Sequence, residues 1–504
     1  MNLKTLLSGI ELLQTSNIPA LEISQLAYDS RKVIPGTLFV AIRGTERDGH
    51  QYISQAISQG ATAIVCEADF NSAPLTEKAI SFFKVKNARV ALSRLSRNFF
   101  ESPSRCMKVV GITGTNGKTT ISYLVEAILE RAHFSPIVIG TVNFRHAGKV
   151  FPSSHTTPES LDLGAFLKER SQEGGDALVM EVSSHALDQH RVDEIDFDVC
   201  VFSNLTTDHL DYHSSLEDYF AAKAKLFREL LPSSSKKDKG AVLNLDDPWV
   251  LRLKKEIQIP VWGVSLHLQE AAVFPLSKKI TVEGIEAQIK TPKGNFMLQS
   301  SLLGEFNLFN LMAATAVGIA LKIPLSAIQE ALQGIQGVPG RLERVKNSRG
   351  IHVFVDYAHT PDALKNVLQT LRQFMGPKPV QENAPRLITV FGCGGDRDKS
   401  KRPLMGEEVA KYSDEAIVTS DNPRTEEAQS ILEDILVGLK SEGWKENENF
   451  WVEPDRKKAI SLALSNAKPG DMVLIAGKGH EDYQILGRQK IHFDDREVAK
   501  ECLN

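Results

Sequence analysis

The stretch that most constrains the fold is "GITGTNGKTT", residues 111–120, which lies between a strand-like run and a helix-like run. The apolar run "MKVVGIT" predicts a buried strand, and "TTISYLVEAILERA" has its apolar residues at helical spacing. Phosphate-binding loops occupy this position, because backbone amides and a helix N-terminus attract phosphate. The strict G-x-x-x-x-G-K-[ST] pattern is not met, since Ile112 stands where the first glycine would be.

The physical requirements of a nucleotide site are nevertheless present. Gly114 and Gly117 let backbone amides approach phosphate oxygens, and Lys118 is placed to reach the β- and γ-phosphates. The Thr119 hydroxyl is a suitable Mg²⁺ ligand. A plain glycine-rich turn is the alternative, and the Lys-Thr-Thr sequence disfavours it. We therefore predict that ATP and Mg²⁺ bind here, with nucleotide contacts from Gly114, Thr115, Asn116, Gly117, Lys118, Thr119 and Thr120.

A chain of 504 residues predicts about three domains. The pattern breaks at "FFESPSRC", where residues 102–104 resemble a linker, and again after "GVPGRLERV". We expect an α/β protein with a small N-terminal α/β domain (1–105), a central phosphate-loop domain with a mostly parallel sheet (106–338) and a Rossmann-like, doubly wound C-terminal domain (339–504). Residues 273–302 alternate like β-hairpins, and the polar run 232–240 is expected to be an exposed loop with solvated lysines.

Composition excludes several classes of function. A net charge of −4 argues against a protein that mainly binds nucleic acid. The five cysteines form no C-x-x-C pair, which suits a reducing compartment. No apolar run approaches the 18 or so residues of a membrane span. We expect a soluble, cytoplasmic monomer without a nucleic-acid or membrane partner.

Polar residues at the ends of two further strands predict metal ligands. Glu181 ends the strand in "VMEVSSHALDQHR", and Asp208 and His209 follow the strand before "SNLTTDHLDYH". Each residue alone is more often a surface or capping residue. Beside a phosphate loop, however, these residues are placed to act as further ligands of a hard cation such as Mg²⁺.

Eleven stretches resemble the Mur ligases of bacterial cell-wall synthesis, and the resemblance covers nearly the whole chain. They are "YDSRKVIPGTLFVA", "TGTNGKTT", "EVSSHALDQHR", "NLTTDHLDYH", "YFAAKAKLF", "GEFNLFNLMAA", "PGRLERV", "DYAHTPDAL", "FGCGGDRDKSKRPLMG", "DNPR" and "GKGHEDYQ". The resemblance implies an ATP-dependent ligase that activates a carboxylate as an acyl phosphate and joins it to an amine. Within the family, "DNPR" with "GCGGDRDK" is similar to members that add meso-2,6-diaminopimelate to UDP-N-acetylmuramoyl-L-alanyl-D-glutamate.

The resemblance also implies roles for individual residues. Lys223 would be a carbamylated lysine that ligates Mg²⁺ with Thr119, Glu181 and His209, whereas Lys225 is its local rival. Lys118, Lys223, Glu181 and His209 would form the catalytic centre. Asn310 would contact adenine, and Arg341 and Asp356 would hold phosphate and ribose. The UDP-sugar dipeptide would meet Ser30, Thr156, Thr157, Ser183, Gln189 and Arg191. His155, where some relatives have Asn, leaves the contact at that position open.

The motif "DNPR" combines a carboxylate, an amide, a rigid bend and a guanidinium on one turn. Arg424 is suited to pair the second carboxylate of diaminopimelate, while Asp421 and Asn422 orient the loop or the ammonium and Pro423 fixes the bend. The resemblance adds Arg397, Gly477 and Glu481 to this site. Two alternatives stay open: a lysine-adding or folylpolyglutamate-type ligase, and a non-catalytic nucleotide switch.

Overall fold

The structure is a computed structural model that describes residues 1–13, 18–44, 47–67, 80–153, 155–378 and 384–503. Within these ranges the chain forms three parallel or mostly parallel sheets, one after another, with helices packed against them. This arrangement confirms the predicted α/β class. No helix in the described part of the chain has both the length and the apolar character needed to cross a membrane.

The N-terminal region is built on a four-stranded parallel sheet in the order β1-β2-β3-β4. Its strands are rich in buried aliphatic residues, as expected for a parallel sheet that is covered by helices. The elements are α1 (Leu3–Leu6), β1 (Gln25–Ala27), β2 (Thr37–Val40), α2 (Ile53–Ser58), β3 (Ala61–Glu67), β4 (Ser81–Val85) and α3 (Ala88–Phe100), with short 3-10 turns at Ser30–Lys32, Gly49–Tyr52 and Pro103–Arg105.

The central sheet has eight strands in the order β12-β11-β10-β5-β9-β6-β7-β8, and only its β6-β7-β8 edge is antiparallel. Strand β5 lies between β9 and β10, so the carboxyl ends of all three strands meet. The elements are β5 (Lys108–Thr113), α4 (Lys118–Arg131), β6 (Pro136–Ile139), β7 (Phe144–His146), β8 (Lys149–Phe151), α5 (Ser160–Gln172), β9 (Ala177–Glu181), α6 (Ser184–Asp188), β10 (Val199–Phe202), α7 (Leu216–Lys225), a π-helical turn (Leu226–Leu230), α8 (Leu231–Ser233), β11 (Gly240–Asn244), α9 (Pro248–Lys254) and β12 (Val261–Val264).

An antiparallel three-stranded sheet follows, as the alternating pattern predicts. It packs with a helix whose residues are nearly all buried, which explains why that helix is apolar on every side. The elements are β13 (Phe274–Thr281), β14 (Gly284–Thr291), β15 (Gly294–Ser300), α10 (Glu305–Ala320) and α11 (Leu325–Gly334).

The C-terminal sheet has six strands in the order β16-β17-β21-β18-β19-β20, parallel except for β16. Helices cover both faces, and this confirms the doubly wound prediction. The elements are β16 (Glu343–Val345), β17 (His352–Asp356), α12 (Pro361–Met375), β18 (Leu387–Phe391), α13 (Lys401–Tyr412), β19 (Glu415–Val418), α14 (Ala428–Ser441), β20 (Phe450–Val452), α15 (Arg456–Asn466), β21 (Met472–Ala476), the hairpin β22 (Tyr483–Leu486) and β23 (Gln489–His492), and α16 (Asp495–Leu503). The exact domain boundaries stay predictions.

One expectation about surface lysines is wrong. Lys236 in the polar run 232–240 is not simply solvated: its Nζ donates to the carbonyl of Arg105 at 2.9 Å and also to that of Met107. It also pairs with Asp198 at 3.5 Å. The lysine therefore fastens the junction between the N-terminal and central regions, because the start of β5 leaves carbonyls without strand partners there.

Candidate active site

The phosphate loop begins where β5 ends, and α4 starts at Lys118. Gly114 has φ of 142° and Gly117 has φ of 88°, values that favour glycine. A β carbon at Gly117 would lie 2.6 Å from Oδ1 of Asn310. Asn310 is itself buried and donates to Asn307 at 3.0 Å, so it lies behind the loop, and its contact with adenine stays a prediction.

Two lysine side chains converge on one carbonyl of this loop. Nζ of Lys118 donates to the carbonyl oxygens of Gly114 and Thr115 at 2.9 and 2.8 Å. Nζ of Lys223 donates to the same Gly114 oxygen at 2.9 Å. Burial lowers the pKa of Lys118, and burial together with the charge of Lys118 lowers the pKa of Lys223 well below its ordinary value. Lys223 is therefore poised to lose its proton and become a nucleophilic amine.

The structure separates Lys223 from its neighbour Lys225. Lys223 is 1% exposed, with its Nζ 4.5 Å from the centre of the Tyr219 ring. Lys225 points to the other side, where Nζ donates to the carbonyl of Leu187 at 3.1 Å and pairs with Asp193 at 3.3 Å. Only Lys223 of the two reaches the phosphate loop.

Glu181 ends β9 and His209 lies in the loop after β10, and these two strands lie on either side of β5. Glu181 is buried at the end of β9, where its two carboxylate oxygens accept from Thr141, one from the backbone amide at 3.1 Å and one from the hydroxyl at 2.8 Å. His209 has a left-handed backbone (φ of 54°), and its Nε2 lies 3.5 Å from Asp208. Burial lowers the pKa of His209 to about 4, so the imidazole is neutral at pH 7, as metal ligation requires.

These donors fit a hard cation only in part. In the described ranges no three side chains of the types His, Cys, Asp and Glu are grouped closely enough to hold a metal ion. Two of the four predicted ligands, the Thr119 hydroxyl and Lys223, belong to other classes. With Lys223 carbamylated, the set becomes three oxygen donors and one imidazole, which suits Mg²⁺ far better than a bare ammonium does.

The C-terminal region contributes a guanidinium and one carboxylate to the same loop, with a second carboxylate, Asp356, near the guanidinium. Nη2 of Arg341 donates to Oγ1 of Thr119 at 3.0 Å, and Nδ2 of Asn116 donates to Asp362 at 3.0 Å. Asp356, at the end of β17, accepts from the amides of Leu342 and Ala358 at 2.6 and 2.7 Å. Burial raises the pKa of Asp356 to about 6. Sequence reasoning missed Asp362, although its place in "DYAHTPDAL" was a signal.

The remaining loop residues support the loop itself. The Thr115 hydroxyl lies 3.3 Å from the hydroxyl of Tyr219 and accepts from the amide of Thr206 at 3.0 Å. Thr120 is buried in the first turn of α4. These contacts join the phosphate loop to the segment after β10 that carries His209.

The residues predicted to hold the UDP-sugar dipeptide form a connected network. The Thr157 hydroxyl donates to the carbonyl of Glu181 at 2.8 Å and accepts from the amide of Ser183 at 3.1 Å. Arg191 donates to the Thr157 carbonyl at 2.9 Å and to Oε1 of Gln189 at 2.7 Å. Thr156 shares a 3.0 Å hydroxyl contact with Thr141, which also binds Glu181. The network thus adjoins the predicted metal site.

Ser30 lies in the N-terminal region, where its hydroxyl donates to Gln55 at 3.0 Å. That region is fixed to the central one by Glu159, which pairs with Arg89 at 2.7 Å and faces Arg191 at 3.6 Å. Sequence reasoning missed Arg89 and Glu159, because their partners are remote in the chain. Burial lowers the pKa of His155, whose role stays open.

The "DNPR" loop follows β19 and meets two other loops. Arg424 has a left-handed backbone (φ of 53°), and its Nη1 donates to the carbonyl of Gly395 at 2.8 Å. A β carbon at Gly394 would lie 2.9 Å from Nη1 of Arg424 and 3.9 Å from Cγ of Arg397. The two guanidinium side chains therefore flank one glycine, with Arg397 exposed and Pro423 buried.

Asp421 and Asn422 are buried on the inner side of the same loop. A β carbon at Gly477 (φ of 115°) would lie 2.5 Å from Oδ2 of Asp421, so only glycine allows this approach. Nδ2 of Asn422 donates to Oε2 of Glu481 at 2.9 Å. The structure thus brings together all seven residues predicted to bind the amino acid, along the carboxyl ends of β18, β19 and β21.

Three domain models of one family match the chain in order. The Mur ligase family catalytic domain matches residues 22–100, the Mur ligase middle domain matches 112–318, and the Mur ligase glutamate ligase domain matches 340–479. The chain therefore belongs to the Mur ligase family.

Full-length relatives refine this membership. The chain is 48% identical to the UDP-N-acetylmuramoyl-L-alanyl-D-glutamate–2,6-diaminopimelate ligase of Geobacter metallireducens over 95% of this chain and 93% of the relative. It is 42% identical to the ligase of the same name from Clostridioides difficile over the whole of both chains. A solved structure of a ligase with that name aligns with a TM-score of 0.69 at 30% identity over 100% of this chain and 98% of the other. A MurF ligase from Thermotoga maritima in complex with ADP shares the fold, with a TM-score of 0.62 at 20% identity over 95% and 96% of the two chains.

Proposed function

We propose that this protein is the ATP-dependent ligase that joins meso-2,6-diaminopimelate to UDP-N-acetylmuramoyl-L-alanyl-D-glutamate in peptidoglycan precursor synthesis. Relatives of that name match it at 40–48% identity along nearly its whole length. The observation that carries the choice of amino acid is the placement of Arg424 beside Arg397, with Asp421 on the same loop as Arg424 and Glu481 on the facing loop. One end of this pocket thus offers both charges that a second amino-acid head group needs.

The reaction proceeds in two steps. The free carboxylate of the UDP-sugar dipeptide attacks the γ-phosphorus of ATP, and ADP leaves, giving an acyl phosphate. The amine of diaminopimelate then attacks the acyl carbon, phosphate leaves from the tetrahedral intermediate, and the nitrogen loses its proton. Most of the rate enhancement comes from holding the reactants in line and from stabilising charge on the phosphate oxygens.

The residues of the phosphate loop perform the first step. The Nζ of Lys118 donates to the Gly114 carbonyl, and on ATP binding it moves to the transferring phosphate. Thr119, Glu181, His209 and carbamylated Lys223 would hold Mg²⁺, whose charge neutralises the phosphate oxygens. Carbamylation is favoured at Lys223, because its buried amine loses its proton readily and the amine is the form that attacks CO₂.

The amino acid and the dipeptide approach from opposite sides of the nucleotide. Arg424 pairs the distal carboxylate of diaminopimelate with charge-assisted hydrogen bonds, and Asp421 on the same loop, together with Glu481 on the facing loop, receives its ammonium. Thr157, Ser183 and Arg191 hold the dipeptide next to Glu181. Because Arg341 belongs to the C-terminal region and Thr119 to the central one, turnover requires these regions to close and reopen around ATP.

The alternatives make different demands on the same residues. A lysine-adding ligase needs no partner for a second carboxylate, so Arg424 would have no substrate group to bind. A folylpolyglutamate-type ligase adds glutamate, which has no second ammonium for Asp421 to receive. A nucleotide switch needs neither the dipeptide network nor the amino-acid loops. The buried cysteines and the cytoplasmic origin of ATP and UDP-sugars support action in the cytoplasm.

Phosphate release from ATP tests the function directly. Purified protein receives UDP-N-acetylmuramoyl-L-alanyl-D-glutamate with meso-diaminopimelate, with L-lysine or with no amino acid. We expect release that depends on diaminopimelate. Release with lysine would keep the ligase and overturn the role of Arg424, whereas release in all three mixtures would favour the switch.

A further inference from the structure

The side chain of Lys478 is completely buried between the loops that are proposed to bind the amino acid. Its neighbours Gly477 and Gly479 have φ of 115° and 54°, so the loop bends sharply on both sides of it. A β carbon at Gly479 would lie 2.7 Å from the carbonyl oxygen of Gly340. The loop therefore packs between the "DNPR" loop and Gly340, and the Lys478 side chain is not exposed to solvent.

Lys478 closes a triangle of hydrogen bonds with two proposed binding residues. Its Nζ donates to Oε2 of Glu481 at 2.9 Å and to Oδ1 of Asn422 at 3.3 Å. Nδ2 of Asn422 donates to the same Glu481 oxygen at 2.9 Å. The amide of Ile485 adds a second donor to Oδ1 of Asn422 at 3.0 Å. Together these contacts fix which way the Asn422 amide points and where the Glu481 carboxylate lies.

The triangle also sets the charge of the pocket. A buried charge is tolerated only when it is paired, so the fully buried ammonium of Lys478 depends on the carboxylate of Glu481, whose side chain is 14% exposed. Beside this neutral pair the loop presents one anion, Asp421, and one cation, Arg424. With Arg397 beside Arg424, the pocket offers two cations and one anion. It suits a ligand end that carries both an ammonium and a carboxylate, whereas an end with only an ammonium would leave Arg424 without a partner.

We propose that Lys478 is a positioning residue that sets amino-acid specificity: it neutralises Glu481 and orients Asn422, so that the pocket accepts a zwitterionic end and rejects a bare ammonium. The inference rests on the proposed function, because it concerns the same pocket. It assigns to Lys478 no contact with the reacting atoms.

A purely structural ion pair would have different consequences. If Lys478 only held the loop in place, its loss would weaken the binding of every substrate or lower the stability of the whole C-terminal region. A specificity role changes the ratio between two amino acids while the affinities for ATP and for the UDP-sugar dipeptide stay near their wild-type values.

The test is Lys478→Met in the full-length protein, because methionine has a similar length and no charge. We expect the KM for meso-diaminopimelate to rise about tenfold or more, since charged hydrogen bonds to Glu481 are lost. The unpaired Glu481 anion should favour a ligand with net positive charge, so the preference for diaminopimelate over L-lysine should fall by about 10²-fold. The KM for ATP and for the dipeptide should stay within about threefold. The matched control is Lys490→Met, since Lys490 is exposed on β23, 3.7 Å from the ring centre of Tyr483.

An unchanged ratio between the two amino acids in Lys478→Met would overturn the proposal, as would an equal loss of affinity for all three substrates. If the methionine variant does not fold, Lys478→Gln serves instead, because it keeps a donor toward Glu481 and lacks the charge. It should show the same loss of preference. Failure of the proposed function is a separate result, seen as wild-type protein that releases phosphate with lysine but not with diaminopimelate.

Discussion

The guanidinium of Arg341 donates to the hydroxyl of Thr119 at 3.0 Å, and this bond joins the C-terminal region to the phosphate loop. Thr119 is the hydroxyl that we propose as an Mg²⁺ ligand, so the cation of Arg341 lies where phosphate and metal are expected. Thr119 is buried and the Arg341 guanidinium lies 4.8 Å from the centre of the Tyr357 ring, so the contact differs from a solvated surface pair. ATP binding should transfer Arg341 from Thr119 to a phosphate oxygen.

Replacing Arg341 with alanine should therefore impair the nucleotide step. We expect kcat to fall by about 10²-fold, because one cation is lost from the transferring phosphate. Steady-state kinetics with saturating dipeptide and amino acid measure this change. Arg344→Ala is the matched control. Arg344 also joins the C-terminal region to an earlier part of the chain, because it contacts Val282 and Glu283 at the turn between β13 and β14, but these contacts do not involve the phosphate loop. Equal losses in both variants would mean that only the contact between regions matters.

Lys223→Arg should abolish most activity although it keeps a positive charge. Arginine does not form the carbamate, and a cation there repels Mg²⁺, so we expect a fall of about 10²-fold or more. Isotopically labelled bicarbonate should give a carbamate signal in the wild-type protein by NMR, and the signal should be absent from the variant. Lys225→Arg, which changes the lysine that pairs with Asp193, should retain both signal and activity. A carbamate signal that persists in Lys223→Arg would refute the assignment.

Arg424→Ala should lose diaminopimelate addition while ATP binding is retained. The distal carboxylate would have no partner, and we expect kcat/KM for diaminopimelate to fall by at least about 10²-fold with the KM for ATP within about threefold. Arg488→Ala, at the exposed turn between β22 and β23, controls for loss of a nearby positive charge. Unchanged kinetics in Arg424→Ala would contradict the proposed role of the loop.

Asp356 should make stability depend on pH in a defined window. Burial raises its folded-state pKa from the ordinary 3.8 to about 6, so the folded protein binds this proton more tightly than the unfolded chain does. The cost of burying the carboxylate is absent below pH 4 or so and complete above about pH 6. Stability should thus fall as pH rises through this window, by about 3 kcal/mol at most.

Chemical denaturation of wild type and Asp356→Asn across that window measures the contribution. The asparagine variant should lose this part of the slope, whereas Glu433→Gln, a change at an exposed carboxylate of α14, should keep it. If Asp356→Asn kept the full wild-type dependence of stability on pH, a group other than Asp356 would be responsible for it.

The alternation of buried strands with helical patterns was sufficient to predict the fold. The phosphate loop could be predicted from Gly114, Gly117 and Lys118, because the conformation of a loop and the start of a helix depend mainly on residues close in the chain. Strand β5 between β9 and β10 then brings Glu181 and His209 to that loop, as expected for parallel strands whose carboxyl ends meet.

Pairs between distant residues were not predictable in this way. Lys478 gave no signal beyond its place in "GKGHEDYQ". Glu481 is three residues further along the same loop, but Asn422 is 56 residues away and becomes a partner only after β19 and β21 are aligned. Lys236 looked like a solvated loop residue for the same reason, since its carbonyl acceptors lie about 130 residues earlier and sequence patterns carry no information on such contacts. For Asn310 the sequence motif was recognised, but the position of its side chain was not predicted. The side chain packs against Gly117, where an added β carbon would lie 2.6 Å from its Oδ1.

The most direct test of the account is a competition for product. Wild-type protein is incubated with ATP, UDP-N-acetylmuramoyl-L-alanyl-D-glutamate and equal amounts of meso-diaminopimelate and L-lysine, and the UDP-linked product is identified by mass spectrometry. The account predicts a product extended by diaminopimelate, formed with one phosphate per amide bond. A product extended by lysine, or phosphate release without any extended product, would contradict it.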